Sequence, residues 1–204
     1  RPEHHFIGAA AGRTHDQRTH PLTHADQEEE CCHRNGHRGR AMHRGLPRRT
    51  ERAAQAGNVR AMHDLGVFLA RGEGVPVDEA AAFRWFRQAA KQELAEGQYM
   101  LGVAYFEGQG TLASAPTAID LFVKAAKKGH AGAQLMAANV YLNGDLGDVD
   151  AFAAYVWADV SAMSGNPDAS LVRDYASYKI SRAEIAKAAE QAKQCMATGF
   201  KRCL

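Results

Sequence analysis

Cysteine and histidine side chains near the amino terminus are of the types that bind metal ions. Cys31, Cys32, His33 and His37 offer thiolate and imidazole ligands for zinc. Further imidazoles precede them at His15, His20 and His24. Zinc sites normally space paired cysteines two to four residues apart, whereas these two cysteines are adjacent. We therefore predict no metal site and no cofactor, and metal binding through this segment stays an alternative.

An arginine cluster in the same segment can attract the phosphates of nucleic acids by releasing counterions. Its members are Arg34, Arg38, Arg40, Arg44, Arg48 and Arg49. The cluster contains no aromatic side chain on which bases could stack. We interpret it as part of a solvated tail, and nucleic-acid binding is the alternative.

Motifs that support catalysis are missing from the rest of the sequence. The chain has neither a Ser-x-x-Lys nor a Gly-x-Ser-x-Gly arrangement for a serine nucleophile, and no His-Glu-x-x-His zinc motif. Two glycine-rich stretches, residues 72–74 and 108–110, follow predicted helices rather than strands, so we interpret them as turns and not as phosphate loops. The carboxylates of Asp145, Asp148 and Asp150 lack the spacing of a calcium-binding EF-hand loop. We predict that the chain is not an enzyme.

The composition divides the chain at about residue 52. Residues 1–52 hold ten Arg, eight His and only five large apolar residues, which is too few to form a core. We predict that residues 1–52 are a disordered tail, and the same composition is expected of a mistranslated stretch. Residues 53–204 contain thirty-four Ala, which favours tightly packed helices. No apolar run approaches the roughly 18 residues of a membrane-spanning helix.

A repeat of thirty-six residues organises the segment after residue 52. Gly57, Gly129 and Gly165 fall on one series of that step, with Glu93 in the remaining slot. The other matched sets are Ala61, Gly97, Ala133 and Ala169; Leu65 and Leu101; Leu69, Tyr105 and Tyr141; Gly72, Gly108 and Gly144; Ala82, Ala118 and Ala154; and Trp85, Leu121 and Trp157. This many matches over three copies indicates a true internal repeat.

Each repeat unit predicts two helices joined by a glycine-rich turn. Ala61, Leu65 and Leu69 recur at helical spacing before the turn, and Ala82 and Trp85 do so after it. We predict helices over residues 59–71, 78–91, 95–107, 115–128, 131–143 and 149–163, and a capping helix over 182–197. Since one hairpin cannot cover its own apolar faces, successive units must stack. The fold class is all-α, an α/α superhelix (solenoid) of about three units.

The residues of the first unit closely resemble a known family. The run from Ala61 to Val75, followed by Asp78, Ala82 and Trp85, is similar to the Sel-1-like repeat, a relative of the tetratricopeptide repeat. The resemblance covers about residues 53–180. It implies a protein-protein interaction scaffold. A cysteine-rich branch of the family is associated with β-lactam handling, but residues 53–194 contain no cysteine and lack that branch's repeated Cys pair.

The carboxyl terminus carries two further cysteines. A helix followed by Gly199 and a returning tail would bring Cys203 back toward Cys195, and this ending resembles that of exported bacterial members of the family. A disulfide between the two residues and free thiols in a cytosolic protein are the two alternatives. The resemblance favours a periplasmic or secreted protein over a cytoplasmic one, although no complete secretory signal is visible.

The first helix of each unit offers the predicted partner-binding surface. Opposite the packed stripe of these helices lie polar residues together with apolar residues where a solvated face would carry charge. The candidate positions are Arg60, Asp64, Val67, Arg71, Glu96, Met100, Val103, Glu107, Met136, Asn139 and Asn143. We expect a peptide or a partner protein to bind there. The alternative for Met100, Val103 and Met136 is packing against the second helices.

Overall fold

The computed structural model describes the backbone of residues 38–204 and the side chains of residues 47–204. Within this part the chain is helical and contains no strand. The helices are α1 (Arg38–Gln55), α2 (Val59–Arg71), α3 (Glu79–Lys91), α4 (Ala95–Glu107), α5 (Ala115–Ala126), α6 (Ala131–Asn143), α7 (Ala151–Met163), α8 (Ala169–Ser177) and α9 (Arg182–Ala197). Among the helices of the described residues, none combines the length and the apolar character that crossing a membrane requires.

Side-chain caps start the helices where the sequence predicts them. Asp78, Ser114 and Asp150 each accept a hydrogen bond from the backbone N–H three residues ahead, which satisfies a donor that the first helical turn leaves free. Ser181 and Glu184 form a reciprocal capping box at the start of α9. The observed helix bounds differ slightly from the predicted ones. Helix α3 starts at residue 79 rather than 78, α7 starts at 151 rather than 149, and α5 ends at 126 rather than 128.

The turns between units use a left-handed residue at a fixed place in the repeat. Gly57, Gly129 and Gly165 have φ of 94°, 85° and 90°, and Glu93 in the equivalent slot has φ of 59°. A residue with a Cβ atom adopts this conformation at a cost of about 1 kcal/mol. Lys128 donates a hydrogen bond from Nζ to the backbone oxygen of Glu93, and this contact joins the ends of the first and second units.

Helices that follow one another in the chain pack against one another from α2 through α8, as a solenoid requires. A large buried cluster spans α5, α6, α7 and α9, and smaller clusters lie toward the first unit. The last helix, α9, packs on α7. Ala188 and Ala192 on α9 are fully buried in the large cluster, so α9 closes that side of the core as the predicted capping helix.

Glycine and phenylalanine form size-matched pairs inside each hairpin. A Cβ atom on Gly66 would lie 2.5 Å from the ring of Phe86, and one on Gly102 would lie 2.7 Å from the ring of Phe122. The third unit has Ala138 and Ala158 in the same two positions. At Gly66 and Gly102 the small residue thus makes room for an aromatic ring of the neighbouring helix.

The repeated large residue of the second helix has related but unequal surroundings. Trp157 is fully buried in the large cluster, while Trp85 is half-buried against Leu65 and Leu121 is half-buried against Leu101. Leu65 and Leu101 are themselves one repeat apart. The packing partner is therefore repeated along with the residue.

Helix α1 begins before the predicted domain boundary. The structure is helical from Arg38, whereas the sequence analysis expected disorder up to residue 52. Arginine and alanine favour helix, and the buried Ala54 near the end of α1 belongs to the same cluster as Met62 and Leu65. The expectation of disorder for residues 1–37 lies outside the described residues.

A disulfide ties the carboxyl-terminal tail to α9. Cys195 and Cys203 are bonded, their Cα atoms are 4.4 Å apart, and both residues are fully buried. Gln191 donates a hydrogen bond to the backbone oxygen of Cys203 over 2.9 Å. Phe200, between the two cysteines, packs against the large cluster. Of the two alternatives left open by the sequence, the structure has the disulfide and not free thiols.

Candidate interaction face

The predicted partner-binding residues form one stripe on each first helix. They are spaced four, three and four residues apart on α2 and α4, and three and four residues apart on α6, which keeps them on one side of each helix. We call this set the first-helix stripe: Arg60, Asp64, Val67 and Arg71; Glu96, Met100, Val103 and Glu107; and Met136, Asn139 and Asn143.

The members of the first-helix stripe differ in exposure. The charged members and Asn143 are exposed, whereas Asn139 and the apolar members are half-buried. Met100 packs against the cluster of Ala82, Phe86 and Leu101, while Val103 and Met136 pack against the large cluster. The apolar members therefore contact the core with one side and present the other side to solvent.

The charge of the first-helix stripe changes along the units. In the first unit Asp64 lies 3.0 Å from His63 Nδ1, and Arg71 lies 3.4 Å from Glu73. Glu96 and Glu107 make the stripe of the second unit acidic, and among the described residues neither has an ion-pair partner. The third unit contributes only uncharged members. The acidic second unit is therefore flanked by a mixed unit and a neutral one.

A stacked pair of rings lies beside this acidic region, at the end of the second unit where α6 begins. The rings of Tyr99 and His130 are 4.5 Å apart with an interplanar angle of 25°. Burial, with a smaller contribution from Glu107, raises the pKa of Tyr99. His130 precedes α6, and its Nδ1 accepts the backbone N–H of Ala133 over 3.0 Å. Reasoning from the residue type alone did not predict this capping role of His130.

The repeat could have predicted that His130 caps α6. Asn58, Leu94, His130 and Asn166 occupy one slot of the thirty-six-residue series, and Asn58 caps α2 with its side-chain oxygen. A polar acceptor in this slot therefore indicates a helix cap. The neutral imidazole can play this part because one of its ring nitrogens is an acceptor.

We expect His130 to make folding stability depend on pH. Burial lowers its pKa in the folded chain, against an opposing contribution from Glu96. As the pH falls below about 6.5, the unfolded chain takes up a proton while the folded chain still holds neutral His130, so this contribution to stability is lost. It is fully present above that pH. Unfolding free energies of the wild type and His130→Asn between pH 8 and pH 5 measure the effect.

The asparagine variant is the matched control because it keeps a side-chain cap and does not titrate. We expect His130→Asn to lose less stability on acidification than the wild type, and His130→Ala to be about 1 kcal/mol less stable at pH 8 because the cap is gone. Equal losses for the wild type and His130→Asn would contradict the titration of His130 as the cause.

Other candidate sites do not gather into a reactive centre. An open cavity of about 490 Å³ lies between α7 and α9, lined by Phe152, Ala186, Lys187, Glu190, Gln191 and Gln194. Over residues 47–204, no three side chains among His, Cys, Asp and Glu are grouped so that they could hold a metal ion. The ligands considered for zinc, from His15 to His37, lie outside the described residues.

Comparison with known proteins agrees with this architecture. The Sel1 repeat model matches three consecutive segments, residues 59–94, 95–130 and 131–166. No curated protein matches the sequence. The crystal structure of c5321, a protective antigen of uropathogenic Escherichia coli with an SLR fold, is 24% identical with a TM-score of 0.67. The alignment covers 75% of this chain and 34% of the antigen, so the chain spans about a third of that protein.

A second solved structure has the same fold. The Sel1 repeat protein from Oxalobacter formigenes is 18% identical with a TM-score of 0.61, and the alignment covers 74% of this chain and 79% of that protein. Sel1 repeats generally mediate protein interactions. With three consecutive matched repeats over more than half of its residues, the chain belongs to the Sel1 repeat family.

Proposed function

We propose that the protein is an interaction scaffold whose first-helix stripe is the inner face of the solenoid and binds an extended peptide segment of a partner. The observation that carries the proposal is the acidic stripe of the second unit. Glu96 and Glu107 lie at its two ends, and the partly exposed Met100 and Val103 lie between them. A partner segment that fits carries basic residues on either side of an apolar one.

The neighbouring units extend this preference. Met136 and the amides of Asn139 and Asn143 offer apolar contact and hydrogen bonds in the third unit. Arg60 of the first unit is exposed and has no ion-pair partner among the described residues, so it favours an acidic residue at that end of the peptide. The partner is therefore a peptide of mixed charge with its basic part at the second unit.

The disulfide supports an oxidising environment as the place where this scaffold works. Structural disulfides persist in oxidising environments such as the periplasm or outside the cell, and Cys195 and Cys203 are bonded and buried. We propose that the protein works in such a compartment. Binding is therefore to be measured with the oxidised chain.

Charge reversal tests the binding face. Peptides are first selected from a displayed random library on the full oxidised chain, and their affinities are then measured by fluorescence anisotropy. We expect basic residues among the selected peptides and a loss of about 10- to 100-fold in affinity for Glu96→Lys combined with Glu107→Lys. The loss shrinks as salt is added, because salt screens exposed charges.

The matched control reverses a carboxylate on the second helix of the same unit. Asp120 on α5 is exposed and does not belong to the first-helix stripe. We expect Asp120→Lys to bind the selected peptides as the wild type does. If Asp120→Lys and the double variant weaken binding equally, or if neither does, the first-helix stripe is not the binding face.

A further inference from the structure

Helix α8 presents an apolar face that no other part of the described chain covers. Leu171, Tyr175 and Tyr178 are spaced four and three residues apart along and just after α8, so they lie on one side. Their exposed fractions are 78%, 57% and 86%. We call these three residues the α8 face. Three adjacent large apolar side chains with this exposure are typical of an interaction surface.

The repeat explains why the α8 face is open. In the earlier units the equivalents of Leu171 pack on a phenylalanine of the second helix: the rings of His63 and Phe86 are 6.2 Å apart, and those of Tyr99 and Phe122 are 6.0 Å apart. Phe106, an equivalent of Tyr178, also lies beside Phe122, at 6.5 Å between ring centres. The positions of Leu171 and Tyr178 are therefore ones that a second helix normally covers. Tyr175, one repeat after Asn139, lies between them and continues the first-helix stripe.

The fourth unit lacks that cover. The slot of Phe86 and Phe122 falls on Gln194 in α9, and Gln194 is exposed. Helix α9 packs mainly on α7 rather than on α8. The α8 face thus keeps the apolar character of a surface that takes a helix, but the chain supplies no helix to it among the described residues.

The charges at the two ends of α8 indicate which kind of helix could cover the α8 face. Asp168 lies three residues before Leu171, and Lys179 follows Tyr178 directly, with Arg182 three residues further on. All three are exposed, and among the described residues none has an ion-pair partner. An antiparallel copy of the same segment would place each negative end opposite a positive end.

We propose that the α8 face binds the α8 face of a second copy of this chain in an antiparallel, two-fold symmetric dimer. Leu171 packs against Tyr178 of the second copy, and the two Tyr175 rings meet at the axis. Asp168 faces Lys179 and Arg182 of the second copy. A two-fold interface uses the same patch on both chains, and here each patch is complementary to itself in both shape and charge.

The area of the α8 face limits the affinity of the dimer. A fully buried large aromatic or aliphatic side chain removes about 150–250 Å² from water, so three partly exposed ones contribute about 300–500 Å² per copy. A stable interface buries about 800 Å² per partner. We therefore expect a reversible dimer that forms at micromolar or higher concentration.

Sedimentation velocity of the full oxidised chain over about 1–300 µM tests the association. We expect the sedimentation coefficient of the wild type to rise with concentration, and Tyr175→Glu to weaken association at least about tenfold. Leu112→Glu is the matched control, because Leu112 is 88% exposed in the turn between α4 and α5 and outside the α8 face. The control should associate as the wild type does.

Charge exchange and crosslinking test the register. We expect Lys179→Asp to weaken association and Lys179→Asp combined with Asp168→Lys to restore it, since the exchanged pair again has opposite signs. A photoreactive amino acid at position 171, in a mixture of ¹⁴N- and ¹⁵N-labelled chains, should crosslink to residue 178 of the other isotope.

Three results would overturn the proposal. The first is a wild type that stays monomeric over the whole concentration range, and the second is a Tyr175→Glu variant that associates like Leu112→Glu. The third is a crosslink from position 171 to another part of the second chain, which would show a head-to-tail contact or another partner surface. Circular dichroism of each variant ensures that a loss of association is not a loss of folding.

Discussion

Replacing Trp157 with alanine is expected to lower the free energy of unfolding by about 3–5 kcal/mol. Trp157 is fully buried in the large cluster, where its neighbours come from α5, α6 and α9 as well as from α7. The substitution removes apolar contacts and leaves a cavity that rigid helices fill only in part. For a structured region of this length, that loss corresponds to a fall in melting temperature of about 6–20 °C.

Two variants separate the cavity from other causes. The indole Nε1 of Trp157 is buried without a hydrogen-bond partner among the described residues, so Trp157→Phe removes an unsatisfied donor and keeps most of the ring. We expect it to destabilise by less than about 2 kcal/mol. Trp85→Ala, at the equivalent position, should also have the smaller effect, because Trp85 is only half-buried.

Thermal and urea unfolding of the oxidised chain measure these differences. The order of stability should be wild type, Trp157→Phe, Trp157→Ala. An unchanged melting temperature for Trp157→Ala would contradict its place in the core, and equal losses for Trp85→Ala and Trp157→Ala would contradict the unequal burial of the two positions.

Replacing Gly110 with alanine is expected to destabilise the protein by about 2–4 kcal/mol. Gly110 has φ of 67°, and a Cβ atom there would overlap the backbone oxygen of Glu79 and lie 2.9 Å from the Cα atom of Ala80. Left-handed backbone costs a residue with a Cβ atom about 1 kcal/mol, and overpacking against a rigid backbone adds about 1–3 kcal/mol. The contact joins the turn of the second unit to the start of α3 in the first.

Gly165→Ala is the control for backbone conformation alone. Gly165 has φ of 90°, but a Cβ atom there would meet nothing within 4 Å. We expect a loss of about 1 kcal/mol for this variant. Urea unfolding measures the free energy of unfolding of the two variants, and the difference between them is the contribution of the contact between units. Equal losses of unfolding free energy would mean that the turn of the second unit does not approach α3.

The sequence predicts the fold well because the repeat reports the same packing several times. The thirty-six-residue series places Trp85, Leu121 and Trp157 at one position, and each packs in or against a buried cluster that includes first-helix residues of its own unit. Helix bounds follow from local chemistry, since Asp78 and Asp150 are caps and Gly72, Gly108 and Gly144 adopt left-handed conformations.

Features that depend on the departures from the repeat were not predicted. The open α8 face exists because α9 turns back onto α7, and no pattern within α8 itself shows where α9 packs. The helical run before residue 53 was not predicted, because its arginine-rich composition has low mean apolarity and it contains Gly39, Gly45 and Pro47, which disfavour helix. The exposure of Met100 and Met136 is intermediate, so periodicity alone could not separate packing from partner binding.

Aromatic nuclear Overhauser effects in the full oxidised chain test most directly whether successive hairpins stack. The rings of Phe83 in the first unit and Tyr105 in the second are 5.3 Å apart at an interplanar angle of 83°, and Tyr99 stacks on His130, the cap of the helix that begins the third unit. We predict cross-peaks between the rings of both pairs. If both sets of cross-peaks are absent from a folded, helical chain, the units do not stack as described.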